Sequence, residues 1–406
     1  MLQHVRPMAF FDETAIPEKL YYVSAFSTLE SEGVKALLDL LRREIRGHGA
    51  DLLVIDGFLA IEEFTSSMRD MKRFIQEVQA YAVMANCTVL LLTNGADRPG
   101  RPEHTMVDGL IELDDQMFGV RTERSLRVKK FRGSGFLPGR HYYGIGEEGL
   151  VVHPRIEARY ATPSFADVYT GERRSTGNDR FDEMLHGGLP AATTTALIGP
   201  TGSGKTTFGL QFLSACSAEQ PGLAFGFYET PPRLRGKAAS LGIDLAGLEA
   251  DGHVELLWQA QGENVLDELG HRLLDAVPRR GVKRLLLDGL GGMIQSAVHP
   301  DRITRFFAVL ANELRARGVT TVYTLEMEGI YGSHLGMPVA GISSLVENLI
   351  MFRRVEERSQ VRRTASILKL RDSDFDPSIR EFRITSRGIV LGDRLVVVDD
   401  DVSDAT

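Results

Sequence analysis

Eight residues near the middle of the chain, Gly199-Pro200-Thr201-Gly202-Ser203-Gly204-Lys205-Thr206, satisfy the pattern G-x-x-x-x-G-K-[ST] in full. That spacing suits a polyphosphate. Glycines let successive backbone N–H groups turn inward around phosphate oxygens, and the positive end of a following helix reinforces them. Gly199, Thr201, Gly202, Ser203, Gly204, Lys205, Thr206 and Thr207 are the expected nucleotide-binding set. Lys205 would reach the β- and γ-phosphates, and the Thr206 hydroxyl would coordinate Mg²⁺. The flanks agree with the motif: an apolar strand is expected over Thr194 to Ile198, and a helix from Thr206 to Ala218 with Phe208, Phe212 and Ala215 along one face.

Two carboxylates follow apolar runs downstream. Asp288 ends Leu285-Leu286-Leu287 and is expected to organise Mg²⁺ with Thr206, although a strand-terminal Asp can also cap a helix. Glu229 ends the apolar run Leu223 to Tyr228 and is the candidate for orienting an attacking water. Its alternative is an exposed turn carboxylate ahead of Pro231-Pro232.

Groups like these must be held by strands ending at one edge of a sheet, and the chain carries such strands twice. Asp51 to Phe58 matches Lys283 to Leu290, setting Asp56 and Asp288 apart by 232 positions, and the same offset pairs Asp12 with Asp244. Lys130-Phe131-Arg132-Gly133-Ser134 resembles Lys369-Leu370-Arg371-Asp372-Ser373 at an offset of 239. Apolar runs without polar alternation, separated by helical patterns, indicate parallel strands covered on both faces. The expected class is therefore α/β with mostly parallel sheets. The expected organisation is a first domain over 1–151, a linker over 152–174 containing Pro154, Pro163 and Arg173-Arg174, a second domain over 175–398, and an acidic tail over 399–406.

Composition narrows the classes further. A hydrophobic fraction of 43% with 25% charged residues fits a folded globular chain, and a net charge of −8 makes nucleic acid an unexpected partner. With only Cys87 and Cys216, neither a disulfide framework nor a thiolate metal site is expected. The start lacks a signal-peptide core, and 78–96 reads as a helix end plus a strand, so a cytoplasmic protein without a membrane span is expected. His141 and His153 are expected at the surface.

Ser175-Thr176-Gly177, Phe181-Asp182-Glu183, Leu185, Gly187-Gly188-Leu189-Pro190 and the phosphate loop together resemble the KaiC group of RecA-like ATPases. The resemblance runs from about Met1 to Val390. It implies two tandem RecA-like domains, ATP and Mg²⁺ as cofactors, and a homo-hexameric ring with ATP between neighbouring subunits. It also implies that Glu229 is the catalytic glutamate, with Thr230 where many members carry a second acid, and that Lys369 and Arg371 reach the neighbour's γ-phosphate. Ser343 and Ser344 fall where clock KaiC carries its phosphorylated Ser and Thr.

Applying the 232 offset to Lys205 and Glu229 lands ahead of Met1, so the first domain is expected to lack its phosphate loop. Met1 is then expected to be an internal methionine of a longer reading frame, the alternative being a degenerate lobe stabilised by partners or by a ring. The leading functional expectation is an ATP-hydrolysing ring ATPase acting in signalling or regulation through partner proteins. Its rivals are a serine/threonine autokinase using Ser343 or Ser344, a DNA-dependent RecA-like ATPase, and a nucleotide-sensing scaffold.

Overall fold

In a computed structural model, which describes residues 2–94, 105–166, 169–327, 345–357 and 360–394, the uninterrupted apolar runs become strands of two units. The first unit comprises residues 1–114 and 124–152; the second comprises 115–123 and 153–406. No helix among the described residues is long and apolar enough to cross a membrane.

Up to His153 the chain runs α1 (Leu2–Val5), α2 (Phe26–His48), β1 (Leu52–Ile55), α3 (Phe58–Glu63), α4 (Met68–Ala85), β2 (Thr88–Leu91), β3 (Gly109–Phe118), β4 (Arg121–Phe131), β5 (His141–Gly146) and β6 (Gly149–His153). β1 and β2 form a parallel pair, while β3-β4-β5-β6 is a separate four-stranded sheet. The first unit's core gathers Leu37, Leu38, Phe58, Phe74 and Ile75 from the helices. His141, expected outside, is buried, with Nε2 3.2 Å from the Leu137 carbonyl oxygen.

The second unit begins with α5 (Ile156–Arg159), a short β7 (Arg173–Arg174) that pairs with β8 (Leu189–Pro190), and α6 (Asp179–Met184) between them. It continues through β9 (Thr194–Gly199), α7 (Lys205–Ser214), β10 (Gly222–Gly226), α8 (Pro231–Ser240), α9 (Leu245–Ala250), β11 (Val254–Trp258) and α10 (Leu266–Arg280). Beyond these come β12 (Arg284–Asp288), α11 (Leu290–Gln295), α12 (Ile303–Ala316), β13 (Thr320–Glu326), β14 (Asn348–Glu357), β15 (Gln360–Leu370), β16 (Arg380–Thr385) and β17 (Gly388–Arg394). Nine strands form one sheet in the order β11-β10-β12-β13-β9-β14-β15-β16-β17. It is parallel from β11 to β14 and antiparallel beyond. Successive side chains of a strand face opposite sides, and β12 shows the result: Leu285 and Leu287 enter one core with Phe306 and Leu310, whereas Leu286 enters the other with Phe208 and Ile350.

The repeat holds element by element. Shifted by 232, β1 begins where β12 begins, β2 where β13 begins, and α3 coincides with α11. Shifted by 239, β3, β4 and β5 coincide with β14, β15 and β16. Gly33, at φ 78°, breaks α2, and the part of α2 beyond it corresponds to α10. Asp12 and Asp244 also share a task, each capping a short helix by accepting a backbone N–H. Among the described residues the first unit shows no counterpart of β9, the strand joining β13 to β14 in the second. Its sheet is accordingly split between β2 and β3, and Leu52, Val54, Leu90, Leu92, Ile111 and Leu113 are exposed.

Several boundaries differ from expectation. The helix after the phosphate loop ends at Ser214 rather than Ala218, and the strand before Glu229 stops at Gly226 rather than Tyr228, because its partners β11 and β12 run out at Trp258 and Asp288. Part of the expected linker is folded into the second unit. Ile156 is fully buried and its N–H donates to Asp267 Oδ1 at 3.1 Å, while Ser164 N–H donates to Glu313 Oε2 at 2.8 Å. Ser343, Ser344 and the acidic tail lie outside the described residues.

Candidate functional site

The site lies at the carboxyl edge of the parallel strands, where ligands of open α/β sheets bind. Register brings the relevant strand ends level: Gly199 pairs with Glu326, and Gly226 pairs with Asp288. Gly199 is forced to be glycine, since a Cβ there would strike the Phe352 carbonyl oxygen on β14. The chain then turns through Thr201 and Gly202, both exposed at the loop tip, and enters α7 at Gly204 with φ 112°. Ser203 is fully buried, and its Oγ has no hydrogen-bond partner among the described residues. A buried hydroxyl of that kind is suited to an oxyanion.

Lys205 Nζ donates to the carbonyl oxygens of Gly199 at 2.7 Å and Pro200 at 2.8 Å. Burial pushes its pKa down, the charges of Glu326 and Asp288 push it up, and Arg354 adds to the lowering. Thr206 Oγ1 donates to Asp288 Oδ1 at 3.2 Å, and Thr324 Oγ1 donates to the same oxygen at 2.6 Å. Thr324 in turn accepts the Gly289 N–H at 2.7 Å, which fixes the start of α11. Burial raises the Asp288 pKa despite these bonds, so a cation beside the carboxylate would be stabilising. Thr207 is buried in the first turn of α7.

A hydroxyl and a carboxylate this close are hard oxygen donors of the kind Mg²⁺ takes, with phosphate oxygens and water completing its shell. The described residues contain no group of three or more His, Cys, Asp or Glu side chains able to hold a metal by themselves. The Thr206–Asp288 pair fits an Mg²⁺ shared with the phosphates of a nucleotide.

Glu229 sits three residues beyond the end of β10, in a cleft lined also by Gly226, Leu234, Leu256, Trp258 and Asp288. Its Oε1 accepts from Lys237 Nζ at 2.6 Å. Lys369 Nζ donates to the Val346 carbonyl oxygen at 2.7 Å, and Arg371, exposed just after β15, donates its N–H to the Glu347 carbonyl oxygen. Both of those partners lie just before β14, not in the phosphate loop of the same chain. Four groups absent from the expectations belong to the site: Thr324, Lys237, Arg354 and Arg363. Arg363 Nε donates to the Gly202 carbonyl oxygen at 3.4 Å, and Arg354 covers the same glycine.

Fold and site together define a P-loop ATPase domain of RecA-like type, preceded by a second segment that repeats part of its element order. A family model described as "ATPase: KaiC" matches residues 11–157 and 174–395. The chain belongs to the KaiC ATPase family. Relatives include the circadian clock oscillator protein KaiC of Parasynechococcus marenigrum, 24% identical over 388 residues, covering 93% of this chain and 74% of that protein. The KaiC of Synechococcus elongatus is 23% identical over 386 residues, covering 91% of this chain and 72% of that protein. That of Parathermosynechococcus lividus is 32% identical over 230 residues, covering 53% and 42% respectively.

Proposed function

We propose that the chain binds and hydrolyses ATP at the loop of its second unit, working as a homo-hexameric ring in the cytoplasm and acting on regulatory protein partners. The observation that supports this reading is the Thr206–Asp288 contact at 3.2 Å, a hydroxyl and a carboxylate side by side at the phosphate loop. In this reading the loop backbone and Lys205 hold the triphosphate, and Thr206 and Asp288 hold Mg²⁺, whose bound charge offsets that of the phosphates. Glu229 orients the attacking water, and Lys369 and Arg371 of a neighbouring subunit stabilise charge on the γ-phosphate. Such trans contacts repeat head to tail, which closes into a ring. The relatives' name, circadian clock oscillator, supports a signalling or regulatory role.

ATP turnover and particle mass, measured with Mg²⁺ and ATP for the wild type and for Lys205→Ala, test the proposal. A ring that hydrolyses ATP, with both properties lost in the variant, is expected. A wild-type chain that stays monomeric and inert would overturn it.

A further inference from the structure

The closest side-chain contact of Glu229 is one the phosphate-loop pattern does not foretell. Pro231 and Pro232 open α8 directly after Thr230, which fixes the direction of the helix as the chain leaves Glu229. Leu234 and Ala238, both buried in the core beneath, fix its rotation. Lys237 lies beside Ala238 and reaches back along the helix to Glu229 Oε1 at 2.6 Å, with the two side chains 34% and 31% exposed.

A glutamate just past the end of a strand has three freely rotating side-chain bonds, and Thr230 beside it supplies no charge. Orienting a water requires that freedom to be removed. We infer that Lys237 is a positioning residue for ATP hydrolysis: it holds the Glu229 carboxylate by Oε1 in one orientation and leaves Oε2 to the attacking water. This rests on the reading of Glu229 given above. An ordinary ion pair with this exposure would contribute little to stability and nothing to turnover, so the two roles separate by experiment.

Turnover and affinity for a fluorescent ATP analogue are measured on the full chain for the wild type, Lys237→Met, Lys237→Arg, Glu229→Gln and the double variant Glu229→Gln/Lys237→Met. Thermal melts confirm that each is folded. Lys237→Met should lower turnover about tenfold with affinity changed less than about twofold, and Lys237→Arg should restore most of the loss. In the Glu229→Gln background the Lys237→Met change should have no further effect. Turnover unchanged or raised in Lys237→Met, or lowered equally in both backgrounds, would overturn the inference. If Glu229→Gln alone hydrolyses ATP like the wild type, the assignment of Glu229 itself fails, and Lys237 falls with it.

Discussion

Arg354 and Arg363 stand directly opposite one another across β14 and β15, and both reach Gly202 of the phosphate loop. Two like charges in register cost roughly 0.2–1 kcal/mol unless an anion lies between them. Arg354→Gln should therefore melt slightly higher than the wild type in anion-free buffer. It should also bind ATP about tenfold more weakly, through loss of a charge-assisted hydrogen bond. Differential scanning calorimetry with and without ATP reads both effects, which have opposite signs.

Gly199→Ala places a methyl group against the Phe352 carbonyl oxygen, at a φ of 156°. A loss of about 1–3 kcal/mol in unfolding free energy is expected. Because the displaced residue begins the phosphate loop, ATP binding should fall as well, as titration with the fluorescent analogue would report.

A buried charge cluster fastens the start of the second unit. Arg302 Nη2 donates to Asp267 Oδ1 at 2.8 Å and to Glu157 Oε2 at 2.8 Å. Arg302→Met would strand both carboxylates, and a cost of about 3 kcal/mol in chemical denaturation is expected. Burial raises the Glu157 pKa, but the hydrogen bonds and charge of Arg302 outweigh it, so Glu157 titrates below the ordinary glutamate range. Its stabilising contribution is thus fully present above the ordinary value and disappears as pH falls through the lower, folded one. Acid titration of the variant should lack that step.

Burial pushes the Cys216 thiol up to about 12, and Cys87 is also buried with a raised pKa. At pH 8 neither carries much thiolate. Ellman's reagent should label the native protein slowly and the denatured protein fast, with two thiols released per chain.

The duplication was legible because it is written in residue types: Asp56 and Asp288 close matching apolar runs, and Asp12 and Asp244 prove to be matching helix caps. The phosphate loop was legible because its chemistry depends on local spacing. The end of β10 was not, since Phe227 and Tyr228 are apolar enough for a strand and only the lengths of β11 and β12 show that they lack partners. Lys237, Arg354 and Arg363 were missed for a similar reason. The first depends on how α8 rotates against the core, and the arginines on the register of an antiparallel pair. No local pattern specifies either.

β9 is the seam of the second unit's sheet as well as the strand that delivers the phosphate loop. Among its described residues the first unit shows no such strand, and its β-structure falls into two separate sheets. Whatever grips the loop also grips the strand on which cooperative unfolding of the sheet depends. Nucleotide should accordingly slow amide hydrogen exchange beyond the loop itself, along β13 and β14 on either side of the seam, while leaving the amides of β1 and β2 unchanged.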